Sequence, residues 1–376
     1  MVTAGGGTLV PREGVPQADR YEIDRFLMLM HGYKELKGND HRDAFTIPVA
    51  FCSTDESIQA LDRITAIQFL EDHNFKSPYL HWYVSYCCAD DYGSSLSETS
   101  AWAMIHYFAS RKGDAANAGS DAVLTWPEGN FWLANNLKKS VLDNIKTNTL
   151  AYNITTSDNN VEVLIFDARE NVSKTIIATS VILATPQFIN QKLLKNVQRN
   201  IDYKQFQYAP WMVANITINN ATLNEKKGEQ LCWDNVIYGS SGLGYVNALQ
   251  QNIGFHDNQK VITYYKPLLS NNAAEARMQA FTKTFDQWGD EVLTDLTPAH
   301  AELRENISEM NIWIWGHGMI KPVPGFIWGS NRAQAALPID NKIHFAHSDL
   351  SGVSIFEEAF YHGHRSAKAV LGHDKI

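Results

Sequence analysis

The stretch NKIHFAHSDLSGVSIFEEAFYHGHRSAKAVLG, residues 341–372, constrains the fold of this chain more than any other. Ile343 and Phe345 alternate with polar neighbours, the period of a short strand. The run stops at Asp349, turns, and meets Ser354-Ile355-Phe356-Glu357. That spacing fits a capping box, in which the Ser and Glu side chains satisfy orphan backbone donors at a helix start. Phe356, Ala359, Phe360, Gly363, Ala367 and Val370 then fall near one helical face, and Gly372 suits the C-terminal cap. A helix start offers free N–H groups and about half a positive charge, which favours an anionic ligand. A carboxylate just before it is placed to accept hydrogen bonds from hydroxyl groups. Together they suit a ligand with a hydroxylated chain and a ring that takes up charge. Any capped helix after any strand would look the same, so the rest of the chain has to decide.

The balance of 32 Lys and Arg against 41 Asp and Glu gives a net charge of −9. No Lys/Arg run offsets it, which argues against a nucleic-acid platform. With 44% hydrophobic residues the chain can bury a large core, and its 376 residues suit two or three domains. Cys52, Cys87, Cys88 and Cys232 form no C-x-x-C and no disulfide framework; they read as reduced thiols. No apolar run approaches the ~20 residues of a membrane span. The first residues lack a basic-then-apolar leader, so the chain as written reads as cytoplasmic, with the periplasm open if a leader was lost.

Residues 17–113 read as mainly helical. Ile58, Leu61, Ile64 and Ile67 repeat every three residues, and two further helices flank an Asp90-Asp91-Tyr92-Gly93 turn. In 121–190 the character changes. DAVLTWPEGNFWLANNL reads as strand, turn and helix, whereas NVEVLIFD and TIIATSVILATP read as strands. The last is apolar on both faces, as at a sheet's centre. WMVANITI, CWDNVIYG, GYVNAL and VITYYKPL suggest a mixed or antiparallel sheet. Residues 273–296 read as one helix, and NIWIWGHGMI as a further strand.

The late histidines do not make a metal site. His344 and His347 would face opposite ways on a strand, and His362 and His364 diverge on a helix; His373 stands apart. No G-x-S-x-G and no G-x-x-x-x-G-K-[ST] occurs, so neither a hydrolase elbow nor a P-loop is supported. Asp90-Asp91 reads as a solvated turn or cap rather than paired catalytic carboxylates.

IHFAHSDLSG…IFEEAFYHGHRSAKAVL resembles the C-terminal flavin motif of the FAD-dependent amine oxidase superfamily, which includes monoamine oxidases and phytoene desaturases. WPEGNFWLANNL, NTLAYNI…VILATP and IWGHGMIKPVPGF resemble, in order, three further stretches of that group. The whole is most similar to a bacterial branch of FAD-dependent, NAD(P)-binding-like oxidoreductases, through YCCADDYGSSLSETSAW and HFAHSDLSGVSIFEEA. The resemblance implies that Asp349, with Ser348 beside it, binds ribityl or phosphate-side hydroxyls. It implies that Ile355 and the backbone N–H near Phe356 face the flavin ring edge, that Leu150 lies beside the adenine, and that Pro186 ends a cofactor-side strand. His317, between two glycines, and Trp315 are the pocket candidates; catalytic residues are not assigned.

Two departures accompany the resemblance. The superfamily opens with strand, G-x-G-x-x-G and helix, which hold the pyrophosphate. TAGGGT lacks the flanking elements and GSSGLG, 239–244, lies between strands, so the resemblance implies a missing N-terminal FAD segment. The strand 342–346 would then have an unpaired edge. The group's lysine near the flavin also has no counterpart here; Ala214 stands about there, and aliphatic Ile355 replaces an aromatic cage residue, which argues against oxidation of a free amine. The expected fold is α/β: an incomplete Rossmann-like FAD-binding domain (114–190 and 326–376) interleaved with a substrate domain of helices and sheet (17–113 and 191–325). The expected function is hydride transfer from a small or lipid-like substrate to FAD. The alternative is a non-catalytic remnant or interaction protein with this fold and no cofactor.

Overall fold

The computed structural model describes residues 10, 12, 14–113, 116–117, 124–157, 159–219, 232–251 and 259–372. TAGGGT, the first half of DAVLTW and His373 lie outside the described residues. The structure mixes helix and sheet.

A helical layer comes first: α1 (Gln17–Glu35), α2 (Glu56–Gln59), α3 (Ala66–Asp72), α4 (Pro78–Tyr92) and α5 (Ala101–Ala109). Its core is aromatic because the rings of these helices turn inward, where each buries a large area. Phe26 meets Phe75 and Phe108 edge-on at 5.6 and 5.2 Å, and Phe45 lies 5.3 Å from Trp102. The three-residue repeat at 58–67 does not make one helix. Asp62 turns inward to accept the Trp328 N–H at 3.0 Å, and Thr65 starts α3 by accepting from Gln68 N–H at 3.2 Å. Asp90 and Asp91 are not in a turn either: α4 runs through Tyr92 and ends on Gly93 in the left-handed region, φ 59°. A Cβ at Gly93 would stand 2.5 Å from Ala209 Cβ, which only glycine avoids.

Next come α6 (Phe131–Lys138) and an antiparallel sheet of β1 (Thr149–Thr156), β2 (Val161–Asp167) and β3 (Val172–Ala178), then β4 (Val181–Leu183) and α7 (Gln187–Leu193). The expected central strand TIIATSVILATP therefore divides at Thr179-Ser180: β3 is a mostly exposed edge, and β4 leaves to another sheet. The main sheet is antiparallel, in the order β6 (Asp234–Asn235), β7 (Tyr245–Asn247), β8 (Gln259–Pro267), β5 (Tyr208–Asn219), β9 (Ile307–Ile320). Met212, Ala214, Ile216 and Ile218 alternate along β5 and are fully buried, on one face of the pleat. They pack in one core with Trp288, Val292 and Leu296. The expected helix 273–296 is two, α8 (Ala273–Thr282) and α9 (Phe285–Leu296), because Thr284 and Gln287 form a capping box between them.

After α10 (Leu303–Asn306) and α11 (Ser330–Ala335), β10 (Ile343–Phe345) pairs in parallel with β4, and α12 (Phe356–Val370) closes the described chain. Among the described strands β10 pairs only with β4, and an isolated bridge to Ile339 takes part of its other edge. No helix among the described residues is long and apolar enough to cross a membrane.

Candidate functional site

Beyond Phe345 the chain enters a tight turn, Ser348–Leu350. His347 fixes it, its Nδ1 accepting the Asp349 N–H at 3.1 Å. Asp349 turns inward and is 1% exposed. Its Oδ2 accepts from the Gln187 N–H at 2.9 Å and from the Tyr208 hydroxyl at 2.5 Å. Gln187 begins α7 and Tyr208 begins β5, so one carboxylate fastens the terminal turn to two distant elements through charge-assisted bonds. Gly352 follows at φ 80°, where a Cβ would come 2.6 Å from Ile327 Cδ1.

The expected capping box is absent. Ser354 Oγ instead accepts the Ile320 N–H at 3.0 Å, tying the turn to β9. The N-cap is Ile355, which has no side-chain cap, and Glu357 is exposed. Glu358, one residue on, is the inward carboxylate. It is fully buried and accepts from the Val49 N–H at 2.7 Å and the Ser351 hydroxyl at 2.5 Å. Burial raises its pKa. Ser351 Oγ also lies 2.7 Å from His362 Nε2. The hydroxyl proton is committed to Glu358, so Nε2–H donates to Oγ, and Nδ1 is left without a partner. Burial, then the Arg365 and Arg332 charges, push His362 down to about 3, which keeps the ring neutral.

Between this turn, the end of β4 and β9 lies a cleft of about 260 Å³. Pro186, Ser348, Asp349, Ile355 and His317 all line it. His317 is covered on one face by Phe188, ring centroids 4.0 Å apart. Desolvation, then the Arg277 and Lys192 charges, push it down to about 4, so the imidazole is neutral. Three expected residues lie elsewhere. Phe356 opens α12 and stacks on Phe360 at 6.2 Å. Leu150 is 65% exposed on the three-stranded sheet. Trp315 is 56% exposed on β9, in register with Trp211. Ala214 is buried in one core with Trp288 and Val292 of α9 and is not among the residues that line the cleft.

Sequence reasoning missed Tyr208, Gln187 and the role of His347. Tyr208 and Gln187 carried no local signal: one heads an apolar strand, the other follows a proline. The Gln187 amide is fully buried with neither Oε1 nor Nε2 partnered.

The helical layer over an antiparallel sheet, closed by a terminal strand, turn and helix, is a fold shared with the amine oxidases. Putrescine oxidase in a structure bound to putrescine matches with a TM-score of 0.69 at 14% identity, over 96% of this chain and 77% of that one. A triple mutant of putrescine oxidase, made to redesign cofactor binding, gives 0.71 at 13% identity. Cyclohexylamine oxidase from Brevibacterium oxydans IH-35A gives 0.60 at 13% identity, over 96% and 76%. No protein-family model matches the chain, and no curated protein matches it by sequence.

Proposed function

We propose that the chain acts as an FAD-dependent oxidoreductase in which the Asp349 cleft takes the ring and ribityl end of the flavin. The observation that carries this reading is the convergence of Pro186, Ser348, Asp349 and Ile355 on one cleft. These residues come from two sequence stretches, and the fold is similar to those of putrescine oxidase and cyclohexylamine oxidase. The cleft suits that end of the cofactor. Pro186, Ile320 and Ile355 give it apolar walls, and Asp349 supplies a carboxylate. About 260 Å³ is too small for a whole dinucleotide and of the order of a ring system. Among the described residues no G-x-G-x-x-G joins a strand to a helix. The cofactor side comprises 114–190 and 326–376, and the substrate side 17–113 and 191–325.

When bound, FAD supplies a two-electron acceptor. The chain's own residues do the rest. Asp349 holds a hydroxyl with the oxygen not committed to Gln187 and Tyr208. Ile355 and Pro186 keep water from the ring. Ile355, the N-cap of α12, lines the cleft, so the positive end of that helix favours negative charge there. His317 offers a neutral imidazole nitrogen that accepts a proton or a hydrogen bond from a small or lipid-like substrate.

The test is spectroscopic. Purified protein titrated with FAD should quench flavin fluorescence saturably, and Asp349→Asn and Ile355→Glu should weaken that quenching. Anaerobic addition of a panel of small and lipid-like substrates, with putrescine and cyclohexylamine included for comparison, should then bleach the flavin absorbance for at least one member. A wild-type protein that leaves FAD fluorescence unchanged overturns the reading.

A further inference from the structure

The pairing of β5 with β9 slips at one point. Ala209 faces Met319 and Trp211 faces Trp315, so Gly316, His317 and Gly318 stand opposite Pro210 alone. Proline has no N–H to give the ladder, and a bulge of this kind re-aims the side chain it carries. Here that side chain is His317, which lines the cleft. Two rings hold it. Phe188 lies 4.0 Å from His317 and 5.0 Å from Tyr208, and Tyr208 lies 5.6 Å from His317.

Two cations attend the bulge. Arg277 of α8 donates from Nε to the Gly316 carbonyl at 2.5 Å and from Nη2 to the Tyr208 carbonyl at 3.4 Å. Glycine at 316 leaves room for its stem, since a Cβ there would stand 3.1 Å from Arg277 Cγ and Cδ. Lys192 lies one turn beyond Phe188 on the same face of α7. The charges of both are felt at His317, and no acid is felt there. Burial lowers the Arg277 pKa and no acid opposes it. Among the described residues neither Arg277 nor Lys192 forms an ion pair with a carboxylate. A partly buried guanidinium whose partners are only neutral carbonyls is left short of an anion.

The single acid lining the cleft does not answer this charge. Asp349 Oδ2 is taken by the Gln187 N–H and the Tyr208 hydroxyl, and Oδ1 lies 3.1 Å from His347 Nδ1. The end of the cleft at His317 is therefore electropositive, and Met319 beside it is apolar.

We propose that Arg277, Lys192 and His317 form, at the mouth of the cleft, a binding site for the carboxylate of a small organic acid. The Nη1 and Nη2 fork of Arg277 matches the two carboxylate oxygens. Neutral His317 donates a further hydrogen bond from one ring nitrogen. Lys192 adds charge from α7, and the apolar chain of the acid lies against Phe188 and Met319. The same field repels an ammonium group. Carboxylate binding is a property of these side chains by themselves; that the bound acid is the substrate rests on the flavin reading above.

The experiment is calorimetric titration of the full chain, without added FAD, with sodium hexanoate at pH 8. The neutral and cationic probes are 1-hexanol and n-hexylammonium chloride. Hexanoate should bind saturably, about tenfold or more tighter than either probe, and more weakly as NaCl is raised from about 0.05 to about 0.5 M. Arg277→Gln should weaken hexanoate binding about tenfold and Lys192→Gln about threefold, with hexanol binding unchanged in both. Should Arg277→Gln fail to fold, Lys192→Gln, at an exposed position, and the salt series decide. Hexanol or hexylammonium bound as tightly as hexanoate, unchanged affinity in both variants, or no saturation by the wild type overturns the proposal. FAD fluorescence quenching on the same protein separates the two readings. Quenching without hexanoate binding overturns the carboxylate site alone. Hexanoate binding without quenching supports the site and overturns the flavin reading alone.

Discussion

Replacing Asp349 with alanine should destabilise the fold by about 2–6 kcal/mol. The carboxylate is the acceptor for two donors with little access to water: the Gln187 N–H on a fully buried residue and the hydroxyl of Tyr208, which is 5% exposed. A buried donor left unsatisfied costs about 1–3 kcal/mol, so two give the stated range. Asp349→Asn keeps the shape and one acceptor oxygen, and should lose about 1–3 kcal/mol, one donor's share. Against a typical stability of about 5–15 kcal/mol either loss is easily measured. The assay is urea denaturation at pH 7, followed by tryptophan fluorescence and far-UV circular dichroism, with m-values compared to show that the same transition is observed. Tyr208→Phe removes one donor together with its demand. Added to Asp349→Ala, it should therefore cost less than the sum of the two single variants. A loss under about 0.5 kcal/mol in Asp349→Ala, or strict additivity in the pair, would refute the role given to this carboxylate.

Other expectations concern the helical layer and its contact with α12. Glu358→Ala leaves Val49 N–H and the Ser351 hydroxyl without their acceptor and should cost about 2–5 kcal/mol, with Glu358→Gln costing less; thermal melts rank the two. Gly93→Ala puts a methyl 2.5 Å from Ala209 Cβ at φ 59°, and should lower stability by about 2–4 kcal/mol in the same denaturation assay. Asp90 titrates higher in the folded state, at about 7, than when unfolded. A carboxyl raised in this way stabilises the fold fully below its unfolded value and loses that contribution as pH climbs to the folded one. Wild type should therefore lose stability between about pH 4 and 7 relative to Asp90→Asn, and the gap in melting temperature should be wider at pH 8 than at pH 4.

The elements that the sequence by itself determined are those written in local periods. Ile343 and Phe345 around a polar residue gave the terminal strand. Phe356, Phe360 and Ala367, at steps of four and seven, gave the closing helix, and the apolar run WMVANITI gave a strand of the main sheet, in which Met212, Ala214, Ile216 and Ile218 alternate. Such patterns are legible because one chain segment dictates its own amphipathic face. Element ends were less legible where one local signal competed with another. Thr284 with Gln287 splits a helix that apolar spacing alone joins, and Thr179-Ser180 splits a strand that β-propensity joins. What only the tertiary structure decided is which polar groups meet. Asp349 finds Tyr208 and Gln187 across separations of 141 and 162 residues, and Glu358 rather than Glu357 turns in to Val49, 309 residues away. No local period encodes such partners. They are fixed when sheets pair and helices pack, where a buried polar group has to find an acceptor or a donor from whatever segment the fold brings alongside.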